Sequence, residues 1–239
     1  MTDALDKVRG VRELPLFPLP VVLFPGVPMP LHIFEDRYRR LLADVRVTNN
    51  LFGVSFFNEA EGGGFNEAEG GGGRPAVGHV GCAAEIVEAQ PLADGRSNIL
   101  TVGVVRYRVA GYVQSEEPYL VGRVEFFEDE EEDRELLTAR AGEVTELFGR
   151  IARAVRTLND DRAALPELSS DEPERLSFLV AAAMEMDNEL KQELLELRSG
   201  VERLSRLLAQ VVSGYEARAS THRLAKGNGH AKRKIDLDN

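Results

Sequence analysis

The chain has 239 residues, 43% of them hydrophobic, enough to build one or two cores. Its formal net charge of −11 makes nucleic acid an improbable main ligand, because phosphate recognition needs a basic face. The single cysteine, Cys82, excludes an internal disulfide and fits a reducing cytosol.

The opening MTDALDKVRG has neither a basic n-region nor an apolar h-region, so it does not read as a secretory signal. The longest apolar run without proline, Phe178 to Met184, is far too short to span a bilayer. A cytoplasmic location without membrane partners is therefore expected. From Leu14 to Gly26 the sequence LPLFPLPVVLFPG is apolar but punctuated by Pro15, Pro18, Pro20 and Pro25. Proline lacks an N–H and fixes φ, which predicts short edge strands and bends here. Phe34, Tyr38, Leu41, Leu42 and Val45 then recur at helical spacing. Glu35 and Asp36 precede Arg37, Arg39, Arg40 and Arg46, the order that the helix dipole favours.

Leu51 to Phe57 is a strongly apolar β run. FNEAEGGG at 57–64 is then copied letter for letter at 65–72, and its glycines predict a flexible loop over 58–74. The loop is no phosphate cradle, because its glutamates would repel phosphate and no helix-opening lysine follows. Strands over 79–89 and 96–105 flank the turn Leu92-Ala93-Asp94-Gly95, and further strands are expected at 106–113 and 119–127. Residues 11–127 thus read as a β-rich unit with one early helix, closed or half-closed as a barrel.

Residues 128–135, EDEEEDRE, carry a local charge of −6 and read as a solvated acidic linker. Helices follow over 136–217. Leu137, Ala141, Val144, Phe148, Ile151, Val155 and Leu158 alternate spacings of four and three, the seam of a long helix. Ser170, Asp171 and Glu172 before Pro173 mark a helix start. A shorter helix is predicted over about 188–197. Ser199-Gly200-Val201-Glu202 is a capping box opening a last helix, with Val201, Leu204, Leu208, Val211 and Tyr215 on one face. The tail from Arg218 to Asn239 carries a charge of +4 and reads as disordered.

The strand–bend–strand–helix opening, continued by VPMPLHIFEDRYRRLLADV, resembles the N-terminal substrate-binding domain of the Lon proteases. VGHVGCAAEIVEAQPLADGRSNILTVGVVRYRVAGY is similar to that family's second half-barrel, with its L-x-D-G turn and with Gly103 and Arg106 at the matching positions. EPYLVGRVEFFED resembles the next strand. DEPERLSFLVAAAMEMDNELKQELLE and VERLSRLLAQV resemble the helical part, including Lys-Gln-x-Leu-Leu-Glu at Lys191 to Glu196. The likeness runs from about Val11 to Tyr215. It implies an α+β fold: an N-terminal PUA-like β pseudobarrel with a C-terminal helical bundle. It also implies substrate binding, read here as recognition of exposed apolar segments of unfolded or damaged polypeptides.

The chemistry that follows this module in a full Lon protease is not expected here. Its ATPase needs G-x-x-x-x-G-K-[ST], and none of the five lysines (Lys7, Lys191, Lys226, Lys232, Lys234) follows a glycine. No stretch remains for a serine–lysine peptidase, so a stand-alone, non-catalytic module without cofactors is expected, and a peptidase label would come from the family name. G-x-S-x-G and H-E-x-x-H are absent, and one cysteine makes no zinc cluster, so neither a catalytic residue nor a metal site is assigned. His32 is read as fixing a bend through a backbone hydrogen bond, ahead of a role as general base, and Cys82 as an inert buried thiol.

Binding has more support. The loop Gly26-Val27-Pro28-Met29-Pro30 is apolar and joins two extended segments. An exposed sheet edge can hold an extended peptide, and methionine adapts to varied partners. Pro28, Met29, Phe34 and Tyr38 are the candidate peptide-binding residues; the competing reading puts Phe34 and Tyr38 in the core. The expected partners are unfolded or damaged polypeptides and, beyond them, a separate protease for which the chain would act as adaptor or regulator. The alternative is a PUA-like RNA-binding protein, with Arg106, Arg108 and Arg123 as a basic strand face and Tyr107 or Tyr112 for stacking.

Overall fold

The computed structural model describes residues 3–57, 74–159 and 172–210. The expected Gly/Glu loop, the helix-start signal at Ser170 and Asp171, the end of the last helix with Val211 and Tyr215, and the basic tail lie outside them, as do the side chains of 151–159.

A short helix α1 (Asp3–Lys7) precedes β1 (Glu13–Leu19), β2 (Pro28–Ile33), α2 (Asp36–Arg46), β3 (Leu51–Phe56), β4 (Val80–Pro91), β5 (Ser97–Tyr112) and β6 (Leu120–Phe127). Helices α3 (Arg134–Asn159), α4 (Pro173–Ala183) and α5 (Asn188–Glu196) follow, then α6 over 200–210. The sheet order is β2-β5-β4-β3-β1-β6, and β6 also pairs with β5. Five strands therefore close a ring and β2 hangs on its outside, an irregular pseudobarrel. Every pairing is antiparallel except β1 with β3.

Two expectations are corrected at the strand level. The proline-rich segment is not an edge: β1 lies between β3 and β6. It manages this by changing partner at Leu16. Pro15 lies where only β6 is paired and Pro18 where only β3 is paired. Each proline thus faces one ladder instead of two, which is where a missing N–H is tolerated. The strands expected at 96–105 and 106–113 are one strand, β5, whose 16 residues serve three neighbours in succession.

Inside the ring Leu14, Leu16, Leu51, Val105, Val109 and Val124 pack around Tyr107, which is fully buried. Its hydroxyl lies 2.7 Å from Ser55 Oγ and donates to the Val54 carbonyl at 3.2 Å, so the one polar atom there is satisfied. Gly53 and Gly81 leave the space this ring occupies; a Cβ on either would overlap the phenol. Outside the ring, α2 lays Tyr38, Leu41, Leu42 and Val45 on a second cluster with Phe17, Phe52, Cys82 and Ile99. A third cluster joins Val22, Phe24 and Val80 of the β part to Leu137, Ala141, Leu176, Leu194 and Leu204 of the helices.

The helices begin as their sequences dictate. Pro173 occupies the first turn of α4, where its missing N–H has no intrahelical partner to lose. The Glu202 N–H donates to Ser199 Oγ at 2.9 Å, one half of the predicted capping box. The other half is replaced: Glu202 pairs with Arg206, while Glu132 from the acidic stretch accepts from the N–H groups of Gly200 and Val201.

Candidate polypeptide-binding groove

The structure separates the four residues singled out from the sequence. Pro28 is exposed on the outer edge strand β2, opposite Val102. Met29, next to it, turns the other way and is half-buried against the cluster beneath α2. Phe34 is outside the helix, 60% exposed, with its ring 6.1 Å from that of His32. Tyr38 is buried, its ring 3.9 Å from that of Phe17, and burial pushes its hydroxyl up to about 12. Tyr38 is therefore core and not part of an accessible patch, because the i, i+3, i+4 rows it shares with Leu41 and Leu42 face the sheet. Pro28 and Pro30 also bring no N–H to the free edge of β2, which blunts it against strand addition.

The alternative basic face is dismantled as well. Arg106 is 2% exposed and Tyr107 is fully buried. Tyr112 is half-buried under Arg74, 3.7 Å from its ring, and Arg123 lies 3.9 Å from Glu13. Only Arg108 and Arg123 of the expected nucleic-acid residues are exposed, too few for phosphate tracking along a strand.

Arg106 is instead the centre of the joint between ring and helices. Its guanidinium donates to the Leu195 carbonyl at 2.9 Å, to the Leu197 carbonyl, and to Asp129 Oδ1 at 2.5 Å. Arg203 of α6, fully buried, donates to both oxygens of the same Asp129 and to Ser177 Oγ at 2.6 Å. Phe178 lies under both cations, 5.3 Å from Arg106 and 4.0 Å from Arg203. Burial holds Arg106 down to about 10, against the opposing pull of Asp129. The acidic stretch is thus not a freely solvated tether. Asp129, its side chain 10% exposed, is the shared counter-ion, Glu132 caps α6, and the Glu130 N–H donates to the Arg198 carbonyl at 2.9 Å.

Above this joint lies an open groove of about 1110 Å³. Its floor is the outer face of β5, Val102 to Val104, with Pro25 and Gly26 beside it; Phe127 and Phe178 close the inner end. Gly103 is required there, because a Cβ would collide with the Phe24 carbonyl oxygen. One wall is α1, the other is the start of α3 and α4, and the acidic stretch 128–132 forms the rim between them. The volume sits at the upper end of the roughly 300–1,000 Å³ of small-molecule pockets. Nine carboxylates line it against four cations.

These lining residues are not apparent from composition. The signal for them is strand parity: Leu100, Val102 and Val104 alternate with Ile99, Thr101 and Val105, so β5 carries apolar residues on both faces, and the one hydroxyl among these six donates to the Met29 carbonyl at 2.9 Å. A strand of that kind has cover, or a ligand, on each side.

Among the described residues, His32, His79 and Cys82 make no hydrogen bond to one another. His32 Nδ1 lies 2.7 Å from Asn98 Oδ1, so its partner is a side chain on β5 and not the backbone carbonyl expected. His79 is pulled down by burial, and its Nε2 has no hydrogen-bond partner among the described residues. Cys82 is fully buried and pushed up to about 12, an inert thiol. Among the described residues, no group of three or more His, Cys, Asp or Glu side chains is placed to hold a metal ion, and no helix is long and apolar enough to cross a membrane.

Known proteins share this architecture. The family model described as the ATP-dependent protease La (LON) substrate-binding domain matches residues 13–213. Lon protease 1 of Syntrophobacter fumaroxidans is 25% identical over 99% of this chain and 28% of its own length, so the chain spans less than a third of that relative. A Lon N-terminal domain protein from Xanthomonas campestris superposes with a TM-score of 0.60 at 24% identity, covering 83% of this chain and 98% of that one. The N-terminal domain of the Mycobacterium avium complex Lon protease gives 0.61 at 16% identity, covering 84% and 98%.

Proposed function

The chain belongs to the Lon substrate-binding domain family, and on that premise we propose that it captures unfolded or damaged polypeptides in the groove above β5 without cutting them. The observation that carries this reading is the groove itself: open, about 1110 Å³, and floored by apolar residues of the sheet. Its floor is one face of a strand whose opposite face packs in the core, so the binding surface is rigid. Pro28 extends the floor at its outer side, and Phe34 adds an exposed aromatic at the far end of β2. The prolines of β2 favour side-chain burial over strand addition as the mode of capture.

In this reading the protein works in the cytoplasm and acts as an adaptor or regulator, holding clients or presenting them to a separate protease. Capture of a denatured model protein on the immobilised chain, compared with its native form, tests the binding step. Retention of the denatured form alone is expected. Equal retention of both forms, or of neither, overturns it.

A further inference from the structure

The groove has a charge preference built into its walls, and we infer that its clients are extended segments in which lysine or arginine alternates with apolar residues. This rests on the proposed capture of unfolded chains and narrows it to one class. The floor, Val102 to Val104 with Phe127, is apolar, and Arg106 at its inner end is already matched by Asp129, so the floor selects no sign of charge. The rim does: with Asp129 and Arg106 set aside in the joint, eight carboxylates against three cations leave a net −5, and one of the eight, Glu130, meets Arg198 at 3.2 Å.

Most of the cations on that rim are held loosely. Arg134 meets Glu174 at 2.8 Å with the two side chains 61% and 41% exposed. Arg175 meets Glu172 at 3.1 Å, and those side chains are 60% and 64% exposed. Lys7 meets Glu85 at 2.6 Å across the groove's other wall. Exposed pairs of this kind contribute about 0–1 kcal/mol each, so an incoming cation can share or replace a partner at little loss. Glu131, exposed on the rim between these walls, adds charge and makes no ion pair among the described residues. Arg106, by contrast, is fixed in the joint below and cannot reach a ligand on the rim. A segment with acidic side chains would meet repulsion from both walls. A basic one gains attraction where its apolar residues are already desolvated, and there each contact is screened least.

The experiment uses the full chain and three synthetic peptides that share one set of apolar residues. The intervening positions are Lys/Arg, Ser/Gln or Asp/Glu. Binding is read by fluorescence anisotropy at low and high salt, beside the denatured-protein capture described above. The basic peptide is expected to bind about tenfold tighter than the acidic one, with the gap shrinking as salt is raised. A variant carrying Glu131→Lys and Glu172→Gln, checked for an unchanged thermal transition, is expected to lose several-fold of that preference.

Equal affinity for the three peptides overturns the charge inference and leaves polypeptide capture standing. The same holds if denatured protein is captured and no peptide binds. If neither peptides nor denatured protein bind, both readings fall. A preference that survives in the variant places its source elsewhere and overturns the inference. So does basic-peptide binding that emerges only when Lys232, Arg233 and Lys234 are all changed to Gln, since the occupant is then the chain's own tail.

Discussion

The inside of the ring and the joint beneath the groove both lie out of solvent for the most part, yet they are held by opposite chemistry. In the ring a fully buried Tyr107 sits among aliphatic side chains, and one hydroxyl pair with Ser55 is its polar content. In the joint two guanidiniums, Arg106 and Arg203, converge on the single carboxylate of Asp129, and the Leu195 and Leu197 carbonyls and the Ser177 hydroxyl accept from further N–H groups. Apolar packing is non-directional, so it closes a sheet but sets orientation weakly. A buried ionic cluster is tolerated only in one geometry, because any misalignment leaves a charge without a partner. The contrast suggests a division of labour: the ring supplies the groove's floor, and the cluster fixes the angle at which α4, α5 and α6 stand over it.

The largest test of this contrast removes the shared anion. Asp129→Ala leaves two buried cations facing each other and is expected to destabilise the fold by about 3–5 kcal/mol. Urea unfolding followed by circular dichroism measures it. A loss below about 1 kcal/mol would mean that the joint is wetter than its 2% and 0% exposed arginines indicate, and the contrast would collapse.

A pH titration sharpens the apolar side of the comparison. Cys82, fully buried on β4, is pushed up from 9.0 to about 12, so the unfolded chain releases its proton first as pH rises. The stabilisation is complete below pH 9 and is lost progressively between 9 and about 12. The slope is roughly 1.4 kcal/mol per pH unit from this group alone. Tyr38, raised from 10.0 to about 12, adds to the loss in the upper part of that window. Cys82→Ala should remove the portion that begins near pH 9 and keep the tyrosine portion. An unchanged profile in that variant would show that the thiol titrates freely.

The same contrast explains which features the sequence discloses. The periodicity of Tyr38, Leu41, Leu42 and Val45, the Asp94-Gly95 turn, Pro173 and Ser199 are local signals, and each marks its element within a residue or two. The partner change of β1 at Leu16 is invisible locally, because it depends on where β3 and β6 arrive from elsewhere in the chain. Arg106 and Asp129 mislead for a related reason. Arginine and a run of acids read as surface by composition, and only tertiary pairing puts them inside. The groove lies between these cases, since the two-faced apolarity of β5 announces a covered surface without saying what covers it.

The smallest prediction concerns Glu132, where the acidic stretch meets α6. One oxygen accepts from the Ser199 hydroxyl at 2.5 Å, and the other from the N–H groups of Gly200 and Val201 at 2.6 and 3.2 Å. These are helix N-terminal donors without intrahelical partners, and the carboxylate also faces the positive end of the dipole. Ser199 still caps Glu202 when Glu132 is removed, so only part of the cap is lost. Glu132→Ala is therefore expected to cost about 1 kcal/mol, well under the Asp129 variant three residues earlier. Glu132→Gln should recover part of the loss, since its amide oxygen can still accept one N–H but brings no charge. If Ala and Gln are equally harmful, charge and not hydrogen bonding dominates the cap. The acidic stretch would then act on α6 by the same electrostatics with which Asp129 holds Arg106 and Arg203.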